Sequence, residues 1–240
     1  MSRGIFVTGT DTGAGKTIVS AVIARLAALS GLKTAVMKPV TSGCISRNGV
    51  RISEDAELAA CGAGITALPP ESTPYLLEAP LAPSVSAEKE GIRIDLEKIA
   101  ADYATLTAAN DFTVVEGAGG LMVPLAGGLL VADLIRRLDL PVIVAARPGL
   151  GTVNHTLLTC FAARQMGITV TGVIICGFPD APDEAEASAP HLIGSLSGAP
   201  LLGIFPRIEA AVPSEIVDGI TARITRDPLT TILKKELGLA

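Results

Sequence analysis

The sequence predicts an α/β fold: a doubly wound, mostly parallel sheet with helices on both faces, of the type built around a phosphate-binding loop (P-loop NTPase type). Three observations carry that prediction. An apolar strand runs into a glycine loop ending in Gly15-Lys16-Thr17 and then into a helical pattern. Strand-like and helix-like segments alternate from there to about residue 206, as the crossovers of a parallel sheet require. The composition is 49% hydrophobic but only 3% aromatic and lacks Trp, so Ala, Val, Leu and Ile must build the core. At 240 residues the chain is read as one large domain spanning 1–240.

The first strand, around Ile5-Phe6-Val7-Thr8, leads directly into the loop Gly9 to Gly15. Backbone N–H groups of such a loop converge on a phosphate, Lys16 reaches the β- and γ-phosphate oxygens, and the Thr17 hydroxyl can ligate Mg²⁺. Gly13, Ala14, Gly15 and Ile18 complete the expected contacts to the nucleotide. Gly9 lies six positions before Gly15 rather than five, with Thr10 at the usual glycine position, so the loop is a variant.

Thr17 to Ser30 carries Ile18, Val22, Ile23, Leu26 and Leu29 at helical spacing, with Gly31 as the stop. Lys33 to Met37 reads as a strand that ends at Lys38-Pro39, since proline cannot continue a ladder. Residues 40–54 read as loop, Asp55 to Cys61 as a short helix, and the proline-rich stretch 69–83 is given no regular structure. Ile94 to Ala109 reads as a helix, Phe112 to Val115 as a buried strand, and Glu116-Gly117-Ala118-Gly119-Gly120 as the loop at its carboxyl end. The grammar repeats with a helix at Leu130–Leu138, a strand at Pro141–Ala146, a helix at Thr152–Met166, and strands at Val170–Cys176 and Pro200–Phe205. Ligands of such a sheet sit beyond the carboxyl ends of its strands.

Composition also sets aside several functions. A formal net charge of −5 and the lack of a long Lys/Arg run give no electrostatic footprint for nucleic acid or anionic membrane. Cys44, Cys61, Cys160 and Cys176 form no Cys-x-x-Cys pair and only two histidines exist, so reduced thiols are expected rather than a zinc site or a disulfide framework. No signal-like start and no apolar run of about 18 residues is found, and a cytoplasmic protein is expected.

Lys38 stands at the ligand edge of the sheet, well placed for phosphate. Glu116 follows an apolar strand, where phosphate-loop nucleotidases hold an acid that orients Mg²⁺. The residues alone read Asp55 as an acid at a helix N-terminus, beside Glu54 and Glu57. Arg147 to His155 follows a strand and opens a helix, a place where backbone N–H groups accept a carboxylate. His155 and His191 are read as structural, and Cys44 has no adjacent base to activate it.

Four separated motifs then fall in register: Val7-Thr8-Gly9-Thr10-Asp11-Thr12 before Gly15-Lys16-Thr17, Lys38-Pro39-Val40-Thr41-Ser42-Gly43, Val115 to Gly120, and Gly151-Thr152-Val153-Asn154-His155. In order and spacing they resemble the dethiobiotin synthetase family, from the first strand to about Pro206. The resemblance implies an ATP-dependent carboxylase and cyclo-ligase that converts 7,8-diaminononanoate and CO₂ to dethiobiotin, with Mg²⁺ and ATP as co-substrate. It places Thr17, Asp55 and Glu116 on the metal, Thr12 and Lys16 on phosphate, and Lys38 and Ser42 on the diamine or carbamate and the transferring phosphoryl group. Thr41 and Gly119 are expected to line the same pocket. Leu150, Gly151, Thr152 and Asn154 are expected to bind the carboxylate tail of substrate from a neighbouring subunit, so a homodimer is implied.

Two positions depart from the family pattern. Gly13 stands where many members carry an acid, and Cys176 stands where relatives present an asparagine that reads the adenine edge. Base selectivity is then expected to be loose or to rest on backbone groups near Cys176 and Pro206. The alternative from another class is a partitioning or division-site ATPase switch on the same fold. Its distinguishing second lysine would fall at Asp11, and the chain ends without a basic amphipathic helix beyond Lys234-Lys235.

Overall fold

The computed structural model describes residues 3–239. Strand β1 (Arg3–Gly9) enters the glycine loop, helix α1 (Lys16–Leu29) leaves it, and β2 (Thr34–Met37) follows. Next come β3 (Val40–Ser42), β4 (Ile45–Arg47), β5 (Val50–Ile52) and helix α2 (Glu54–Gly62). A 3₁₀ turn at Pro70–Ser72 precedes β6 (Tyr75–Leu77), α3 (Pro83–Lys89) and α4 (Leu96–Ala109). Then follow β7 (Phe112–Gly120), the small strands β8 (Pro124–Ala126) and β9 (Leu129–Leu130), α5 (Val131–Leu138) and β10 (Val142–Ala146). The chain closes with α6 (Thr152–Gln165), β11 (Val170–Phe178), α7 (Glu184–Leu196), β12 (Leu201–Pro206), α8 (Pro213–Ile224) and α9 (Pro228–Glu236).

Six strands form the main sheet in the order β12-β11-β10-β1-β7-β2, and every pairing is parallel. Parallel strands buried on both faces need apolar side chains at successive positions, which is why they read as unbroken runs. Phe6, Val115, Val144 and Ile175 belong to the core on one face, beneath residues of α4 to α7. Ile5, Val7, Val114, Ile143 and Ile174 belong to the other, with residues of α1, α2, α8 and α9. The doubly wound parallel sheet expected from the alternation is therefore present.

Three local readings are corrected. Residues 40–54 are not one loop: β3 pairs in parallel with β6, and β4 and β5 form a hairpin turned by Asn48-Gly49, both at positive φ. Three-residue strands are too short to show a period against their polar neighbours. The stretch 69–83 holds the 3₁₀ turn, β6 and the start of α3, with Pro83 in its first turn. Glu116 to Gly120 continues β7 rather than leaving it, so Glu116 lies within the sheet opposite Val7. Beyond Pro206, α8 and α9 each carry Pro at the first turn, and α7 before them is opened by the capping box of Asp183 and Glu186.

Candidate active site

The loop from Gly9 to Gly15 turns back over the carboxyl end of β1 and feeds α1. Gly15 caps α1 at φ 87°, the helix has no side-chain cap and no acid in its first turn, and its N–H groups are left for an anion. A Cβ on Gly15 would meet Cys176 Sγ at 2.6 Å, so only glycine fits there. Lys16 crosses the loop and donates from Nζ to the Asp11 backbone carbonyl at 3.2 Å. Burial is the main cause holding its ammonium pKa below the usual lysine value, and the nearby charge of Lys38 adds to it.

Lys38 leaves the end of β2 and is buried at 4% exposure. Its ammonium spends its three hydrogens on Glu116 Oε1 at 2.6 Å, Asp55 Oδ2 at 2.8 Å and the Gly117 carbonyl at 3.2 Å. Burial opposes that charge most strongly, yet the Glu116 and Asp55 carboxylates outweigh it and raise the Lys38 pKa above its ordinary value. Asp55 sits in the first turn of α2, capped by the Ser53 hydroxyl. Burial pushes its carboxyl up, but Lys38 and the hydrogen bond from Thr17 win and hold it below the usual carboxylate range. Asp55 is thus a helix-end acid that also faces Lys38 and Thr17.

Thr17, in the first turn of α1, lies 3.0 Å from Asp55 Oδ1 and 2.9 Å from Glu116 Oε1. One hydroxyl hydrogen cannot serve both acceptors, and Glu116 Oε2 is buried with no partner at all. Three hard oxygen donors thus converge with unused lone pairs, a set that suits Mg²⁺. Among the described residues no cluster of three or more His, Cys, Asp or Glu side chains that could hold a metal ion assembles.

These groups open on a cavity of about 660 Å³. Of the residues expected from the sequence, Thr12, Gly13, Gly15, Lys16, Thr17, Ile18, Lys38, Ser42, Asp55, Glu116 and Gly119 line it. Its remaining wall comes from Val40, Pro80, Leu81, Ala82, Pro83, Ala118 and Val123, which the sequence reading missed. The two prolines flanking Leu81-Ala82 were the available signal, since a fixed proline turn before a helix presents a rigid apolar edge.

Other expected residues lie elsewhere. Ala14 is fully buried and can offer only its backbone. Thr41 turns away from the cavity and donates to Ser53 Oγ at 2.8 Å, because β3 alternates and points Val40 and Ser42 inward. Cys176 is buried beneath Gly15 with its thiol pushed up to about 12 by burial, and its side chain packs against the loop. Pro206 ends β12 across from Phe178, outside the cavity. Leu150, Gly151, Thr152 and Asn154 are also outside it, at the start of α6, where Leu150 is 91% exposed and Thr152 is buried.

Comparison with known proteins places the chain among relatives. A family model described as an AAA domain matches residues 3–215. The ATP-dependent dethiobiotin synthetase BioD of Bacillus subtilis is 37% identical over 238 residues, 99% of this chain and 96% of its own. The protein of the same name from Thermodesulfovibrio yellowstonii is 42% identical, with 86% and 89% covered, and that of Methanococcus vannielii 46%, with 71% and 77% covered. Among solved structures, the cell division ATPase MinD of Pyrococcus furiosus superposes with a TM-score of 0.57 at 19% identity, covering 100% of this chain and 97% of that one. A ParA family ATPase from Chlorobium tepidum gives 0.55 at 14%, with 99% and 97% covered; at such identities the likeness speaks for the fold alone. On the sequence matches, the chain belongs to the ATP-dependent dethiobiotin synthetase family.

Proposed function

We propose that the chain catalyses ATP-dependent carboxylation and ring closure of 7,8-diaminononanoate with CO₂ to give dethiobiotin. The observation that carries the reading is the convergence of Lys16, Lys38, Thr17, Asp55 and Glu116 on one cavity in a chain whose relatives bear that name. An amine of the diamine takes up CO₂ as a carbamate, whose oxygen accepts the γ-phosphoryl group. The second amine then displaces phosphate and closes the ureido ring.

Each residue has a task that follows from its place. The free N–H groups at the start of α1 and the Lys16 ammonium hold the β- and γ-phosphates. Lys38 keeps its proton and sets a fixed positive charge where a carbamate and a phosphoryl group, both anionic, must meet. Ser42, whose hydroxyl is buried without a partner, is free to bond the substrate, and Thr12 stands at the loop for the transferring group. Val40, Leu81, Pro83 and Val123 give the methylene chain an apolar wall. Thr17, Asp55 and Glu116 would hold Mg²⁺, which when bound supplies charge neutralisation for phosphoryl transfer.

We further infer a homodimer. Leu150, Leu158 and Phe161 expose 91%, 57% and 58% of their surface along one face at the start of α6 and on it, with Asn154 between them. Docking that face on a second copy would carry Gly151, Thr152 and Asn154 toward the partner's cavity, where N–H groups of the first turn of α6 suit a carboxylate tail. We place the reaction in the cytoplasm, where ATP is supplied. The switch reading loses ground, because Asp11 occupies the second-lysine position; its carboxylate Oδ1 accepts the Thr12 N–H, and its backbone carbonyl accepts Lys16.

The test is Lys38→Ala. It should form no dethiobiotin while still binding ADP, and unchanged product formation would remove Lys38 from the mechanism.

A further inference from the structure

Lys38, Val40 and Ser42 reach the cavity from one short segment, while Asp55 reaches it from α2, an element that is not paired to that segment in any sheet. Besides the Lys38–Asp55 ion pair, a buried contact between two neutral side chains joins them. Thr41 Oγ1 donates to Ser53 Oγ at 2.8 Å, with the two residues 5% and 3% exposed, and Ser53 Oγ also accepts the Ala56 N–H at 3.2 Å as the cap of α2. A hydrogen bond between two neutral hydroxyls away from water is directional and leaves no solvent alternative for either partner. Asp55 lies two residues beyond Ser53, in the turn that this cap fixes.

We propose that the Thr41–Ser53 hydroxyl pair is a positioning device that locks the first turn of α2 to β3 and so fixes the Asp55 carboxylate beside Thr17 and Lys38, setting affinity for the divalent cation. The inference rests on the reading of Asp55 as a ligand for that cation. Thr41 does not line the cavity and acts through Asp55. Strand alternation makes the arrangement economical: one face of β3 lines the cavity while the other anchors the helix that completes it.

The measurement is Mn²⁺ affinity of the full chain in the presence of ADP, read from the electron paramagnetic resonance signal of the free ion. Thr41→Val, close in shape but without the hydroxyl, should weaken Mn²⁺ binding roughly three- to tenfold, the scale of one net hydrogen bond. Thr41→Ser should restore it. Asp55→Asn alone should also weaken binding, and adding Thr41→Val to it should cause no further loss, because a residue that acts through Asp55 has nothing left to act on. Ser53→Ala removes this acceptor and the α2 cap together and should weaken Mn²⁺ binding at least as much as Thr41→Val, which keeps the proposal testable if the valine variant fails to fold.

Wild-type affinity in Thr41→Val or Ser53→Ala, with Asp55→Asn weakened, overturns the positioning role. Equal further loss in the double variant shows a general structural effect and overturns it too. Unchanged affinity in Asp55→Asn instead overturns the reading of Asp55 as a metal ligand, and the inference falls with it.

Discussion

Replacing Lys38 by Met keeps most of the side-chain volume and removes one charge. Lys38 and Glu116 are 5% and 2% exposed at the side chain and 2.6 Å apart, so the substitution leaves a buried carboxylate facing Asp55 with no cation between them. Breaking a buried pair from one side typically costs about 3–5 kcal/mol, because the remaining charge has lost both water and partner. For a chain of this size that corresponds to a fall in Tm of roughly 6–20 °C. Mg²⁺ should recover part of the loss, since the carboxylates left behind would gain a cation.

The pH dependence should change as well. In the native chain Asp55 is held below its ordinary pKa, so its contribution is present above about pH 4 and fades as pH falls through its folded value. The raised Lys38 pKa means its contribution is whole below about pH 10 and fades as pH rises through its folded value. In Lys38→Met the carboxylates repel, so acidification from pH 7 to 5 should stabilise the variant. Urea unfolding followed by circular dichroism, at both pH values and with EDTA or Mg²⁺, reads all three effects. A loss below about 1 kcal/mol in EDTA, or no gain from Mg²⁺, would refute the charge-balance reasoning.

Lys16→Ala should remove the ammonium from the phosphate loop, abolish turnover and weaken ADP binding measured by calorimetry. Gly62→Ala would set a Cβ 2.1 Å from the Ala21 carbonyl oxygen where α2 crosses α1; a loss of about 1–3 kcal/mol in urea unfolding is expected, with weaker Mn²⁺ binding because α2 carries Asp55. Leu158→Glu on the exposed face of α6 should shift sedimentation toward the monomer and raise the KM for the diamine, while ADP binding stays intact.

The parallel sheet was legible because its strands are buried on both faces: Val114-Val115 and Val142 to Ala146 can only be read one way beside a glycine loop and amphipathic neighbours. Lys38 and Glu116 were legible for a related reason, since a charged residue at the end of an apolar run has few structural uses. The small pairings were not. Val40–Ser42 pairs with Tyr75–Leu77 across more than thirty residues, and nothing local records that contact. Thr41 illustrates the consequence: its neighbours Val40 and Ser42 face the cavity, yet which face of so short a strand points inward is fixed by partners the sequence does not name. Cys176 is similar, because its position beneath Gly15 depends on how β11 meets the loop.

The central claim is tested most directly by incubating the protein with Mg-ATP, bicarbonate and 7,8-diaminononanoate and following products by mass spectrometry. Dethiobiotin should form in proportion to ADP and phosphate, with ADP release dependent on the diamine. ATP hydrolysis that proceeds equally without the diamine and yields no dethiobiotin would contradict it.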